Sequence, residues 1–151
     1  MLTIRSARAA DAAVIAEHNR LLAWESESKR LEPAVALTGV VAAIADPEHK
    51  GRYYLACRGE TIVGQCQVTL EWSDWRDGWY WWLQSVYVAA EHRGQGVFRA
   101  LYEKVRRDAR AAGNVIALRL YVERDNRSAQ ATYEKLGMKR EHYDMMSESL
   151  V

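Results

Sequence analysis

The sequence predicts an α+β fold. Element order is the first reason: the patterns read strand, two helices, three strands, helix, strand, helix, strand. The second is a strand–helix–strand unit in the second half of the chain, joined by a glycine turn. The third is size and balance. The chain has 151 residues, 49% hydrophobic and 27% charged. That predicts a single domain over residues 1–151, large enough to bury roughly two-thirds of its unfolded surface without a metal or disulfide staple.

Each element has its own signal. Residues 2–6 (LTIRS) alternate and read as a strand. Asp11 precedes an amphipathic helix carrying Val14, Ile15, Leu21, Leu22 and Trp24. The polar run 25–33 (ESESKRLEP) predicts a loop, and a second helix is expected from about Pro33 to Ala45, stopping before Asp46-Pro47. Residues 52–58 and 61–72 read as strands about a Gly59-Glu60 hairpin turn. A loop over 73–78 leads to a long aromatic strand over 79–89. A helix follows the turn HRGQG and ends before Gly113. Residues 115–123 predict a strand, Asn126 opens another helix ending at Gly137, and the tail from Met138 is expected to return as one or two strands.

Composition excludes several classes. A net charge of +1 gives no whole-protein field for nucleic acid, so an anion site must be local. The two cysteines, Cys57 and Cys66, lie in apolar strand text and read as buried free thiols. No apolar run approaches the roughly 20 residues of a membrane span. No leader pattern is visible, and the expected location is the cytoplasm. His18, His49, His92 and His142 are scattered without ligand spacing, so no metal is expected.

The turn SVYVAAEHRGQGVFR, residues 85–99, carries the chemistry. Gly94 and Gly96 let backbone N–H groups approach a ligand. The next helix presents unpaired N–H groups and a partial positive charge at its start. Together these make an anion site suited to a pyrophosphate, with Arg93 and Arg99 at the rim. Taken alone, the glycines serve a tight turn equally well.

The run continues into a more specific match. Arg93, Gly94, Gln95, Gly96 and Val97 resemble the acetyl-CoA-binding motif of the GNAT acetyltransferases, R/Q-x-x-G-x-G/A. The last place, usually Gly or Ala, holds Phe98, which must point away from the pyrophosphate. Asn126, Ala129, Tyr133, Gly137 and Met138 resemble the family's later motif. The resemblance covers residues 80–142 by motif and the rest by element order. It implies a GNAT fold: a mixed, mostly antiparallel sheet of about six to seven strands, about four flanking helices, and splayed strands at the cofactor site.

The resemblance also implies the chemistry. Acetyl-CoA is the acyl donor, and an amine attacks its thioester directly in a ternary complex. Val86, Tyr87 and Val88 hold the pantetheine arm, with Asn126 and Tyr133 completing the cofactor set. A backbone N–H near Val86 polarises the thioester oxygen. Tyr133 takes the position of the general acid, ahead of Tyr121 and Tyr143. Where related enzymes often carry a glutamate base, this chain has Gln84, which leaves Glu71 or Asp74 to act directly or through water.

The acceptor is read from charge and aromatics. Glu25 and Glu27, in the expected loop after the first helix, join Glu71, Asp74 and Asp77 near Trp72, Trp75 and Trp79. Acidic groups and aromatic faces attract cations, so a small cationic amine is the expected substrate. The tryptophans equally suit a core wall or the interface of a homodimer. Two other functions compete: acetylation of a protein or peptide amine, and a non-catalytic CoA-binding module. No nucleic-acid or membrane partner is expected.

Overall fold

The computed structural model describes residues 1–151 as two compact units, Met1–Tyr121 and Val122–Val151. The first holds β1 (Leu2–Ser6), α1 (Ala12–Glu27), α2 (Pro33–Ala45), the one-turn α3 (Pro47–Lys50), β2 (Arg52–Arg58), β3 (Thr61–Ser73), β4 (Gly78–Val88), α4 (Val97–Ala112) and β5 (Val115–Leu120). The second holds α5 (Arg127–Lys135). No helix is long and apolar enough to cross a membrane.

The strands lie in the order β1-β2-β3-β4-β5. All neighbours are antiparallel except β4 and β5, which are parallel and joined through α4. The crossover helix explains this change of direction, since a parallel neighbour needs a long connection.

Burial on β2 shows how the layers stack. Tyr54 and Ala56 pack with Cys66, Val68 and Trp81 beneath Val97, Leu101, Val105 and Ala109 of α4. Tyr53, Leu55 and Cys57 point the other way, against Ala12, Ile15 and Ala16 of α1 and Val40 and Ala43 of α2. Both faces of the strand are therefore covered, which is why its middle reads as a continuous apolar run. Cys57 and Cys66 are buried free thiols, and burial pushes Cys66 up to about 12. Arg5 on β1 donates twice to the Asp11 carboxylate, at 2.8 and 2.9 Å, which ties the start of α1 to the sheet.

Four expectations change. The sheet has five strands rather than six to seven. The tail supplies none: no residue from Met138 onward lies in a strand, and every one from Lys139 onward is exposed. The chain has five helices rather than about four, the extra one being the single turn α3. The expected loop at 25–33 begins later, because α1 runs on to Glu27. Ser28 closes it at φ 53°, with the Ser28 N–H on the Trp24 carbonyl at 3.0 Å and the Lys29 N–H on that of Ala23 at 3.1 Å. Glu25 and Glu27 thus stand on the last helical turn.

Candidate active site

Strand β4 changes partner along its length. Trp79–Leu83 pair with β5, but the ladder stops at Leu83 and Leu120. Beyond that, β4 pairs only with β3, as far as Val88 opposite Gly64. The two strands part there, and one edge of β4 is left open. A bulge sits at the same point. Gln65 faces Tyr87 and Gln67 faces Gln84, so Ser85 and Val86 together oppose Cys66. Ser85 takes φ 49°, a conformation uncommon outside glycine. The Gln65 side-chain amide donates to its carbonyl at 3.3 Å.

The open edge carries usable backbone groups. Alternate residues of an antiparallel strand turn their N–H and C=O away from the partner. The Val88 carbonyl accepts from Arg93 Nε at 2.9 Å, which marks it as facing away from β3. Val86, two residues earlier, shares that direction.

The glycine turn follows directly. Gly94 and Gly96 take φ 72° and 78°, and Gly96 is the N-cap of α4. No side chain caps α4, whereas Glu32 caps α2 and Asn126 caps α5. The Gln95 side chain is used structurally, accepting from Arg58 Nη2 and donating to the Glu91 carbonyl, both at 2.9 Å. Val97 is buried against Gly64, and the Phe98 ring lies 6.1 Å from that of Tyr102, one turn along the helix. Arg93 and Arg99 are exposed. Two left-handed glycines, an uncapped helix start and two arginines fit a diphosphate.

One arginine of the turn reaches α1. Arg93 Nη2 donates to Glu25 Oε2 at 2.5 Å, and its guanidinium lies 5.5 Å from the Tyr87 ring. Glu27 pairs with Lys29 at 3.4 Å.

The sheet face beneath α1 is polar along β3. Gln65, Gln67, Thr69 and Glu71 alternate onto it, beside Tyr80, Trp82 and Gln84 of β4 and, past the bulge, Tyr87. Gln84 Nε2 donates to Thr69 Oγ1 at 2.7 Å. Glu71 Oε1 accepts from Trp82 Nε1 and Arg119 Nη1, each at 3.1 Å. The Arg119 guanidinium also lies 3.6 Å from the Tyr80 ring centroid, and Trp82 stacks on Tyr121 at 4.5 Å.

The sequence-derived substrate residues are divided by this geometry. Gln84 and Glu71 share the face beneath α1. Trp72 stands on the opposite face, edge-on to Trp79 at 4.9 Å. Asp74 and Trp75 lie in the β3–β4 turn, where Trp75 is 90% exposed.

A buried group escaped the sequence reading. His18, 8% exposed, faces the bulge from α1. Its Nδ1 lies 3.2 Å from Gln65 Oε1, and its ring centroid 4.8 Å from that of Tyr87. Gln65 Nε2 also donates to Asn19 Oδ1 at 2.8 Å. Burial pulls His18 below its ordinary value, partly offset by Gln65, Glu17 and Glu91. The signal was present: His18 follows the fully buried Ile15 by three residues, on the inward face of the helix.

In the second unit, Asn126 Oδ1 accepts the Ala129 N–H at 3.1 Å. Gln130 donates to the carbonyls of Glu123 and Arg124, both at 2.8 Å, and accepts from Arg140. Tyr133 lies on α5, and burial pushes its hydroxyl up. Gly137, at φ 99°, ends the segment.

Residues 16–138 match the family model described as the acetyltransferase (GNAT) family. The chain is similar to the crystal structure of a possible acetyltransferase from Clostridium difficile 630, with 40% identity, TM-score 0.92, and 100% and 99% of the two chains covered. A transcriptional regulator from Bacillus halodurans C-125 has 23% identity and TM-score 0.84, with 99% and 100% covered. An aminoglycoside acetyltransferase from an uncultured soil metagenomic sample has 18% identity and TM-score 0.71, with 98% and 99% covered. These last two are likenesses of fold. Among curated proteins, none matches.

Proposed function

Because the chain belongs to the GNAT acetyltransferase family, we propose that it is an acetyl-CoA-dependent N-acetyltransferase acting on the primary amine of a small molecule. The observation that carries this reading is the parting of β4 from β5 beside the glycine turn. The open β4 edge and the uncapped start of α4 lie a few residues apart in one continuous segment. A long ligand with an anionic end and an amide-bearing arm suits that arrangement.

Each residue has a task in this reading. Backbone N–H groups about Gly94, Gln95, Gly96, Val97 and Phe98 bind the diphosphate, with Arg93 and Arg99 as charged neighbours. Val86 and Val88 pair with the pantetheine arm as a missing strand would. Tyr87, pinned by Arg93, keeps the arm and the acceptor in register. The N–H of Val86 is the donor for the thioester oxygen. Acetyl-CoA, when bound, supplies the acyl carbon as an activated thioester. Tyr133, with Asn126 in the same family motif, donates the proton that the departing thiolate needs. A tyrosine hydroxyl is protonated at neutral pH, and burial pushes this one further up.

The acceptor reading follows the polar face beneath α1. Gln84 and Glu71, with Trp82 beside them, offer acceptors and an aromatic plane to a cationic amine. Glu25 stands at the rim, already paired to Arg93.

The test is a thermal shift with CoA followed by thiol release from acetyl-CoA with a panel of small amines and peptides. A rise in Tm and turnover on small amines support the reading. Turnover on peptides alone would replace the acceptor class. A thermal shift without turnover would leave a CoA-binding module, and no shift would remove the cofactor.

A further inference from the structure

We propose that His18 is the proton acceptor for the amine, through Nε2, with Gln65 setting its tautomer. This rests on the acetyl-transfer reading and deepens it, because Gln84 occupies the place where a glutamate base is often found.

The Ser85 C=O can only accept, so the Gln65 atom at 3.3 Å from it is the NH2 group. The same NH2 donates to Asn19 Oδ1 at 2.8 Å, which uses its second hydrogen. The other end of the Gln65 amide, Oε1, therefore faces His18 Nδ1 at 3.2 Å. Two acceptors cannot meet there, so Nδ1 carries the hydrogen. A neutral imidazole with Nδ1–H has its lone pair on Nε2.

That nitrogen reaches solvent. No buried side-chain nitrogen or oxygen anywhere in the chain lacks a partner, and Nε2 has none within the protein. The ring stays neutral near pH 7 because burial works against its charged form. Glu17 on α1 and Glu91 on the turn before α4 favour the charged form more weakly. Tyr87 of β4 is the ring against it, itself flanked by Arg93, which Glu25 neutralises. From β2, the Tyr53 hydroxyl lies beside Asn19.

The position suits the task. The Gln65 amide that orients His18 also holds Ser85, the residue before Val86, just past the last β4–β5 pair at Leu83 and Leu120. One side chain thus orders both the base and the bulge. The protons balance in two steps. The acceptor ammonium gives one proton to His18 Nε2, which passes it to water. The free amine lone pair then forms the C–N bond as the C–S bond breaks; Tyr133 protonates the departing thiolate, and the second N–H proton leaves the new amide to restore the Tyr133 hydroxyl.

The test uses the full chain and two kinds of readout. In the protein without acetyl-CoA, 15N NMR of the imidazole at pH 7 is expected to show Nδ1 protonated and Nε2 bare. An Nε2–H tautomer or an imidazolium would overturn the proposal. In turnover, His18→Asn keeps a donor toward Gln65 but has no base. It should lower kcat on the order of a hundredfold with the KM for acetyl-CoA unchanged. His18→Ala should recover rate with added imidazole, which guards against a packing defect in the asparagine variant. Wild-type kcat in either variant, or an alanine variant that imidazole does not rescue, would overturn His18 alone. A wild-type protein that releases no thiol with any amine would instead overturn the acetyl-transfer reading beneath it.

Discussion

Arg93 and Glu25 meet at 2.5 Å, so the cation of the glycine turn and the anion at the end of α1 satisfy each other. The same guanidinium holds the Val88 carbonyl through Nε. Arg93 is therefore as much a clamp on the open strand as a phosphate ligand. Arg93→Ala should weaken CoA binding on the order of tenfold, the size of one charged hydrogen bond. Glu25→Gln should shift affinity the other way by freeing the guanidinium. Calorimetric titration with CoA checks both signs.

Gly96 requires its conformation rather than its space. A Cβ there would meet nothing within 4 Å, but φ is +78°. Gly96→Val should cost about 1–2 kcal/mol in stability, from the left-handed backbone alone. It should also abolish the rise in Tm that CoA induces, because the turn relaxes away from the ligand.

Gly64 is the reverse case. A Cβ would lie 2.8 Å from Val97 Cγ1 and 3.2 Å from the Tyr87 carbonyl. This glycine lets the first turn of α4 sit down on the sheet. Gly64→Ala should cost about 1–3 kcal/mol by overpacking, read as a lower urea midpoint with an unchanged slope.

His18 makes stability depend on pH with a definite sign. Its folded pKa lies below the unfolded value of about 6.5, so the unfolded chain binds more protons as pH falls. Its contribution is whole above that value and is lost as pH drops below it toward the folded pKa. The stability of His18→Asn should fall less than that of wild type across this window. Urea midpoints measured at steps from neutral to mildly acidic pH read the difference.

Glu71 is held by Arg119 and Trp82. Glu71→Gln keeps an acceptor for both donors and removes the charge. It should leave kcat close to wild type while costing less than about 1 kcal/mol, as expected of a partly exposed ion pair. A loss of kcat matching that of His18→Asn would move the base to Glu71.

Most of the frame was legible in the sequence because periodicity and turn chemistry agree there. The apolar run in RYYLACR, Pro33 opening one helix and Gly113 closing another are each visible without tertiary contacts. The glycine turn was legible for the same reason. Two things were not. The tail offers no local signal against a strand, and its lack of a buried face emerges only from the fold. His18 sits in a helix whose polar neighbours Glu17 and Asn19 disguise the inward face. Its link to Gln65 spans 47 positions, a contact that only the sheet creates.

Acetyl transfer to an amine at the parted strands is the reaction proposed for this chain. The most direct measurement is thiol release from acetyl-CoA by the wild-type protein with a panel of small primary amines, with the product examined by mass spectrometry. Amine-dependent thiol release and a product acetylated on nitrogen are expected. Thiol release no faster than in the absence of amine, across the whole panel, would contradict it.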